Sequence, residues 1–170
     1  VGRRPPGRHN LEALLLKDLG DNVWEGLLKP GGRIKDGERI DFGSNRVLLS
    51  GVVMASRIPD SGKRLLQFQG SGIKEKLHKL GRIPPPPYIN RPDQPADRET
   101  YQTVFAKEEG AVASPTAGLH FDKPLLEKLT GMGVEIVDVT LHVSYGTFQP
   151  ITTEHVEEHK MFEEEFEISF

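Results

Sequence analysis

Five short apolar runs, each separated from the next by a turn signal, occupy the first half of this 170-residue chain. The runs are rich in Leu and Val, and clusters of Gly, Pro, Asn and Asp lie between them. They cover residues 11–17, 23–29, 39–42, 46–56 and 63–69. Short strands at this spacing are typical of a sheet that closes on itself, so we predict a small antiparallel β-barrel.

The segment that follows predicts a helix and then a stiff connector. Residues 73–80 have the spacing of a short amphipathic helix that ends at Gly81. Four successive prolines then begin at residue 84, and such a run favours an extended chain over a central strand. We place a hinge or domain boundary within residues 84–96, and we favour a rigid connector over a proline-rich recognition segment.

Charge divides the chain in the same region. Residues 1–92 carry 17 Lys/Arg against 9 Asp/Glu, whereas residues 93–170 carry 5 against 16. A basic module is suited to a phosphate backbone, although ordinary solvated charge is an equally good explanation for one basic half. We therefore expect two domains, a basic β-barrel domain over 1–92 and a partial α/β catalytic domain over 93–170, an α+β organisation.

The segment 110–150 has the pattern of a strand–helix–strand unit. Asp122 is a plausible helix N-cap, and Pro124 is tolerated in the first helical turn. A β-branched run over 134–141 is typical of a strand that is covered on both faces. If residues 110–114 form a parallel partner strand, the loops 114–120 and 142–148 leave the same sheet edge, where open α/β sheets bind ligands.

These two loops carry side chains that are suited to catalysis and ligand binding. His120 and His142 are candidate proton-transfer groups because imidazole titrates near neutral pH. Backbone N–H groups over 117–121 are candidates for holding an anion beside a helix N-terminus. Two threonines are candidates for a sugar hydroxyl and three aromatic side chains for purine stacking: Thr116, Thr147, Phe121, Tyr145 and Phe148. The alternative is that the glycines make turns and that the aromatic and histidine side chains are structural.

The flanks of this unit are predicted less sharply. Residues 97–106 are expected to form a short helix, and residues 154–170 an acidic helix followed by a strand near 166–168. His155 and His159 match the H-x-x-E-H zinc pattern, which needs both histidines on one helix face. The signal is weak, because Glu-rich helices produce it by chance, and a solvated acidic face with His159 pointing into the site is favoured.

Several function classes have no support in the sequence. Neither a phosphate-binding G-x-x-x-x-G-K motif nor a G-x-G-x-x-G helix start is present, and Ser114 lacks a nucleophile elbow. The absence of cysteine excludes disulfides and thiolate zinc sites and suits a cytoplasmic protein. No stretch has the apolar length of a membrane span. Trp24, Phe42 and Phe68 are expected in the barrel core rather than on a nucleic-acid surface.

The sequence resembles one enzyme family along essentially its whole length. The resemblance is carried by YQTVFA at 101–106, GAVASPTAGLHF at 110–121, and TLHV at 140–143 with GTF at 146–148. These segments are similar to the S-adenosylmethionine:tRNA ribosyltransferase-isomerases of queuosine biosynthesis. Further similar segments are LEALLL at 11–16, PPYINR at 86–91 and EHKM at 158–161.

The resemblance implies a tRNA-modifying enzyme with S-adenosylmethionine as substrate and no metal. Its ribosyl group would be isomerised and joined to 7-aminomethyl-7-deazaguanine at the tRNA wobble position, giving epoxyqueuosine, with the anticodon arm as partner. Thr116, His120, His142 and His159 would lie in or near the reaction site. The cofactor-binding positions would be Pro115, Thr116, Gly118, Leu119, Phe121, Gly146, Thr147 and Phe148. The resemblance also implies a larger protein, in which the barrel is inserted in a catalytic domain.

The chain departs from the family pattern at three positions. The family usually has Gly at the position of Ser144, Arg at that of Gln149 and His at that of Phe162. The alternative hypothesis is therefore a non-catalytic RNA-binding fragment or paralogue of this enzyme.

Overall fold

The computed structural model describes residues 2–3, 10–31, 34–43, 47–57, 62–83, 89 and 91–168. The chain divides into two compact units, Val1–Gly81 and Arg82–Phe170. The proline run at 84–88, which the sequence interprets as a rigid connector, lies outside the described residues. The domain division at residues 92 and 93 stays a prediction.

Within its described residues, the first unit is an antiparallel β-barrel of six strands. They are β1 (Gly2–Arg3), β2 (Asn10–Asp18), β3 (Val23–Lys29), β4 (Arg39–Phe42), β5 (Leu49–Arg57) and β6 (Arg64–Gln69). The strand order is β1-β2-β3-β6-β5-β4, and β1 pairs with both β2 and β4, which closes the sheet. The predicted barrel is confirmed, and each of the five apolar runs overlaps one of the strands β2 to β6.

The turn chemistry of the first hairpin follows from its sequence. Asp21 and Asn22 have φ values of 48° and 60°, in the left-handed region that Asn and Asp tolerate better than most residues. The Leu19 N–H donates to the Val23 carbonyl at 2.9 Å and closes the turn between β2 and β3. This local geometry sets the register next to the turn, in which Asp18 faces Trp24.

The barrel interior is a continuous apolar core. Leu66 and Ile40 are fully buried, and the rings of Phe42 and Phe68 meet at a centroid distance of 5.9 Å. Phe42 and Phe68 are therefore core residues, as expected, and Trp24 packs against the same cluster. The core residues are Leu11, Leu28, Ile34, Ile40, Phe42, Leu49, Val53, Leu66, Phe68 and Ile73.

Two further features complete this unit. Helix α1 (Ile73–Leu80) has the predicted bounds, and the Gly81 N–H donates to the Leu77 carbonyl at its end. Arg64 is buried, but its guanidinium donates to Asp36 Oδ1 at 3.0 Å and to the Ile34 carbonyl at 3.1 Å. A buried cation needs such partners because it has lost its water.

The second unit contains short elements joined by turns. They are α2 (Asp97–Thr100), α3 (Lys123–Gly131), β7 (Thr140–His142) and β8 (Glu165–Glu167). Single 3-10 turns occupy Thr116–His120, Tyr145–Phe148 and Val156–Glu158. The helix predicted after Asp122 is confirmed, because Asp122 Oδ1 accepts from the Leu125 N–H at 2.8 Å.

The predicted parallel sheet is wrong for the described residues. Residues 110–114 form no strand, and the run at 134–141 is a strand only in its last part, where β7 pairs antiparallel with β8. The run is not covered on both faces, since Val137 is 79% exposed. A β-branched run lacks ladder hydrogen bonds when no neighbouring strand is in reach, whatever its propensity.

Two helix predictions also need correction. The helix expected over 97–106 is only four residues long in α2, and the chain then continues as turns. The acidic helix expected from residue 154 is a single 3-10 turn, and the strand expected near 166–168 is Glu165–Glu167. Among the described residues, no helix is long and apolar enough to cross a bilayer.

Candidate active site

The first candidate loop is a 3-10 turn that presents two of its polar side chains to solvent. The turn covers Thr116–His120, and the side chains of Thr116 and His120 are exposed, whereas Gly118 is half-buried. The Gly118 N–H donates to the Pro115 carbonyl at 2.8 Å, and the Phe121 N–H donates to the Gly118 carbonyl at 3.2 Å. Two of the N–H groups predicted to hold an anion are therefore already used.

The helix N-terminus beside this loop is also occupied. Helix α3 begins at Lys123, and the Asp122 carboxylate accepts the Leu125 N–H within its first turn. A negative charge already lies where the helix dipole favours one. The expectation that this dipole holds an anionic ligand group in the first loop has no support in this geometry.

The second candidate loop is held by side chains from residues 162–164. The Ser144 N–H donates to Glu164 Oε1 at 2.9 Å, and the Ser144 hydroxyl accepts from the Gly146 N–H at 3.2 Å. Phe162 lies directly over Gly146, because a Cβ at position 146 would be 2.6 Å from the Phe162 Cβ. Two of the family departures, Ser144 and Phe162, therefore meet at Gly146.

The two loops approach each other through their backbones. The N–H groups of Val112 and Ala113 both donate to the Val143 carbonyl, at 2.8 and 3.3 Å. Ala113 and Val143 are buried at this junction. The structure thus brings the segment before the first loop beside the start of the second loop, although the two are not parallel strands.

His142 is fixed at this junction by close packing. A Cβ at Gly110 would lie 2.5 Å from the His142 Nδ1, so the imidazole lies against the Gly110 backbone. Only glycine leaves room for the ring there, and Gly110 also has a φ of 143°. Nearby in sequence, the Ser114 hydroxyl is buried without a hydrogen-bond partner among the described residues, a polar group that a ligand can satisfy.

The remaining predicted site residues are not joined to His142. Thr147 is exposed, and Pro115 and Phe121 are also exposed, whereas Leu119, Phe148 and Tyr145 are half-buried. Across the described part of the chain, no hydrogen bond or ion pair links Thr116, His120, Thr147 or His159 to His142. The convergence of the two histidines at one edge stays a prediction.

The H-x-x-E-H segment is not the helix that the zinc pattern requires. His155 and His159 flank the single 3-10 turn Val156–Glu158 and both have extended backbone, so they do not share a helix face. His159 is half-buried and His155 is exposed. Among the residues that the structure describes, no group of three His, Asp or Glu side chains is arranged to hold a metal ion.

An ion pair that the sequence did not predict lies at the start of this unit. Arg91 Nη2 and Nη1 donate to Asp97 Oδ1 and Oδ2 at 2.7 and 2.9 Å, and the Gln94 N–H donates to Oδ2 at 2.7 Å. The hydrogen bonds from Arg91 and then from Gln94 lower the pKa of Asp97 to about 2, from 3.8. Asp97 therefore stabilises the folded chain above about pH 3.8, and this contribution is lost as the pH falls through about 2.

The chain is similar to known proteins along essentially its whole length. A family model described as "Queuosine biosynthesis protein" matches residues 1–170. The S-adenosylmethionine:tRNA ribosyltransferase-isomerase of Sulfurihydrogenibium sp. is 43% identical over 168 residues, which is 99% of this chain and 48% of that protein. The protein of the same name from Desulfitobacterium hafniense is 46% identical over 170 residues, again 48% of its length.

A solved structure is also similar. The crystal structure of S-adenosylmethionine tRNA ribosyltransferase from Thermotoga maritima is 26% identical, with a TM-score of 0.36, and the match covers 79% of this chain and 34% of that chain. The chain thus spans about half the length of the curated relatives it matches. Because the family model covers every residue, the chain belongs to the queuosine biosynthesis protein family.

Proposed function

We propose that this chain provides the tRNA-binding barrel and part of the reaction site of an S-adenosylmethionine:tRNA ribosyltransferase-isomerase. The observation that carries the proposal is the similarity to proteins of that name, at 43–46% identity over 99% of the chain. S-adenosylmethionine is a substrate here, and the proposed chemistry needs no metal. The partner is the tRNA anticodon arm, and the compartment is the cytoplasm.

The proposed reaction moves protons at three points. The ribosyl group leaves adenine and methionine and forms a carbon–nitrogen bond to the aminomethyl group of the 7-deazaguanine wobble base, giving epoxyqueuosine after isomerisation. The amine gives up a proton as this bond forms, the ribosyl group loses one carbon-bound hydrogen as a proton during the isomerisation, and the departing adenine takes one proton up. The site therefore needs groups that accept and deliver protons, a task suited to imidazole.

The geometry gives the two candidate histidines different properties. His142 lies against Gly110 and is half-buried, so its ring is held in place. His120 is exposed at the end of the 3-10 turn and is accessible to a bound substrate. We propose both as proton-transfer residues, with His159 as a third, half-buried candidate.

The surrounding loop residues are proposed to bind the adenosyl part of the substrate. Small and apolar positions allow close approach, and the threonine hydroxyls suit the sugar. These positions are Pro115, Thr116, Gly118, Leu119, Phe121, Gly146, Thr147 and Phe148. In this proposal the second unit is part of an α/β catalytic domain.

The tRNA is proposed to bind the basic first half of the chain. Its balance of 17 Lys/Arg against 9 Asp/Glu suits a phosphate backbone, which positions a nucleic acid, while the wobble base supplies specificity. The second half, with 5 against 16, would repel phosphate and is better suited to chemistry on the modified base.

Adenine release tests the proposal. Protein from the complete reading frame is incubated with S-adenosylmethionine and tRNA carrying 7-aminomethyl-7-deazaguanine, and adenine is measured by chromatography. We expect release that depends on the modified tRNA. Binding of tRNA without release of adenine contradicts the proposal and favours the non-catalytic RNA-binding alternative.

Substitution of His120 tests the division of tasks. His120→Ala is expected to reduce adenine release at least about a hundredfold, as removal of a proton-transfer group does, with little change in tRNA affinity. His155→Ala is the matched control, because His155 is an exposed histidine of the same unit. An equal loss of tRNA affinity in His120→Ala would contradict the assignment of binding to the barrel.

A further inference from the structure

The ion pair between Arg91 and Asp97 holds the beginning of the second unit in one arrangement. Asp97 is only 3% exposed and accepts three hydrogen bonds, two of them from the planar Arg91 guanidinium. Bidentate arginine–carboxylate pairs fix orientation as well as distance. Arg91 also donates to the Pro92 carbonyl at 3.0 Å, so the chain between the two partners is held too.

Between Asp97 and the candidate site, backbone hydrogen bonds close two successive turns. The Tyr101 N–H donates to the Asp97 carbonyl at 3.0 Å, which closes helix α2. The Ala106 N–H then donates to the Thr103 carbonyl at 3.3 Å and forms the next turn. Thr103 and Phe105 therefore lie in the turn that directly follows α2.

The turn that follows α2 supports the first candidate loop. A Cβ at Gly118 would lie 2.9 Å from both Phe105 Cζ and Thr103 Cγ2, so Gly118 lies directly on these two side chains. Thr103 is only 7% exposed at this contact. Gly118 is the middle residue of the 3-10 turn Thr116–His120, whose ends are the candidate site residues.

We propose that Arg91 and Asp97 are positioning residues, which fix the Thr116–His120 turn through Thr103 and Phe105. The expected effect on kcat rests on the proposed function. The effect on the position of the Thr116–His120 turn does not. Neither ionic side chain is assigned a contact with substrate. A misplacement of about 1 Å at reacting groups costs roughly a hundredfold in rate, so a remote ion pair of this kind has a measurable effect.

Amide hydrogen exchange tests the geometric part without any assay of activity. In Asp97→Asn we expect the Gly118 and Phe121 amides, which bond within the loop, to exchange at least about tenfold faster, as loss of local structure requires. The Leu126 amide of α3, which bonds to the Asp122 carbonyl at 3.1 Å, is expected to keep its protection. Unchanged exchange at Gly118 and Phe121, or equal loss at Leu126, overturns the proposal.

Asp41→Asn is the matched control. Asp41 is the barrel counterpart of Asp97, with Arg39 Nε donating to its Oδ1 at 2.8 Å and the Ser50 hydroxyl at 2.6 Å. The same substitution there removes one carboxylate and one ion pair from the other unit. We expect no change in exchange at Gly118.

Kinetics of the full protein test the catalytic part. Asp97→Asn and Gly118→Ala are expected to reduce kcat for adenine release about ten- to a hundredfold, with less than a twofold change in tRNA affinity. Gly118→Ala leaves the ion pair intact and displaces the loop directly, so it shows how large an effect a displaced loop has. Arg91→Lys keeps the positive charge but loses the bidentate geometry, and it tests the positioning role if Asp97→Asn does not fold. Unaltered kcat in Asp97→Asn and Arg91→Lys overturns the positioning role, whereas absence of adenine release in the unsubstituted protein contradicts the proposed function and leaves the exchange result valid.

Discussion

At the scale of single residues, three glycines define how tightly the candidate loops are packed. Gly110 lies against His142, Gly118 against Phe105 and Thr103, and Gly146 against Phe162. In each case a side chain, rather than solvent, fills the space that a Cβ would take. The glycines are therefore needed for close approach, and Gly146 and Gly118 do not depend on a positive φ.

The contact between Gly146 and Phe162 can be tested by substitution. Gly146→Ala is expected to destabilise the chain by about 1–3 kcal/mol, because the new methyl group would lie 2.6 Å from the Phe162 Cβ. Urea unfolding measures this change. Gly131→Ala is the control, since a Cβ there meets nothing within 4 Å and alanine favours helix, so we expect it to be neutral or slightly stabilising.

The double variant separates steric conflict from lost flexibility. Phe162→Ala removes the ring that contacts Gly146, so in Gly146→Ala/Phe162→Ala the cost of the new methyl group should fall. The residual contact with the Cβ limits the relief, which is why the expected change is partial. Equal effects of Gly146→Ala with and without the Phe162 ring would contradict a conflict with the ring and leave the Phe162 Cβ as its source.

At the scale of elements, local signals were sufficient for the barrel and for α3. The β2–β3 hairpin depends on Asp21 and Asn22, and the start of α3 depends on Asp122, all of which act within a few residues. The β-branched run at 134–141 depends on a neighbouring strand, which in the described residues is only β8. Its strand character was therefore not decided by its own sequence.

In the candidate site too, the sequence predicted only part of the arrangement. The segment before the first loop lies beside the start of the second, but through the Val143 carbonyl rather than the predicted parallel ladder, and the convergence of His120 and His142 stays a prediction. The Ser144–Glu164 hydrogen bond joins residues 20 positions apart. No periodic pattern marks such a contact, and Glu164 lies in an acidic stretch that is typical of a solvated face. The Arg91–Asp97 pair joins residues only six positions apart, but no periodic pattern marks it either.

The N-cap of α3 gives a prediction at this scale. Asp122→Ala is expected to cost about 0.5–2 kcal/mol, because the Leu125 N–H loses its acceptor at the helix start. The measurement is the exchange rate of the Leu125 amide together with the free energy of unfolding. Asp122→Asn, which keeps an acceptor oxygen, should behave nearly as the unsubstituted chain; an equal loss in both variants would show that charge, rather than capping, matters.

At the scale of the whole molecule, the two units differ in how much apolar surface they bury. Among the residues that the structure describes, the first unit contains a cluster of ten buried apolar residues, whereas the second unit has only Ala113 and Val143. Val137 and Met161, at 79% and 82% exposed, illustrate the difference. Because apolar burial is the main stabilising term in folding, we expect the barrel to be the more stable unit.

Truncation of the barrel core tests this difference within the intact chain. Leu66 is fully buried, and Leu66→Ala is expected to destabilise the barrel by about 2–5 kcal/mol through lost burial and the cavity left behind. Val137→Ala removes apolar atoms of a similar kind from an exposed site and should change stability by less than about 0.5 kcal/mol. Amide exchange in β3 and β6, with the α3 amides as an internal reference, measures where the change occurs. If Leu66→Ala raises exchange in α3 as much as in the barrel, stability is shared across the chain, and tRNA binding and turnover will not be separable by substitutions in one unit alone.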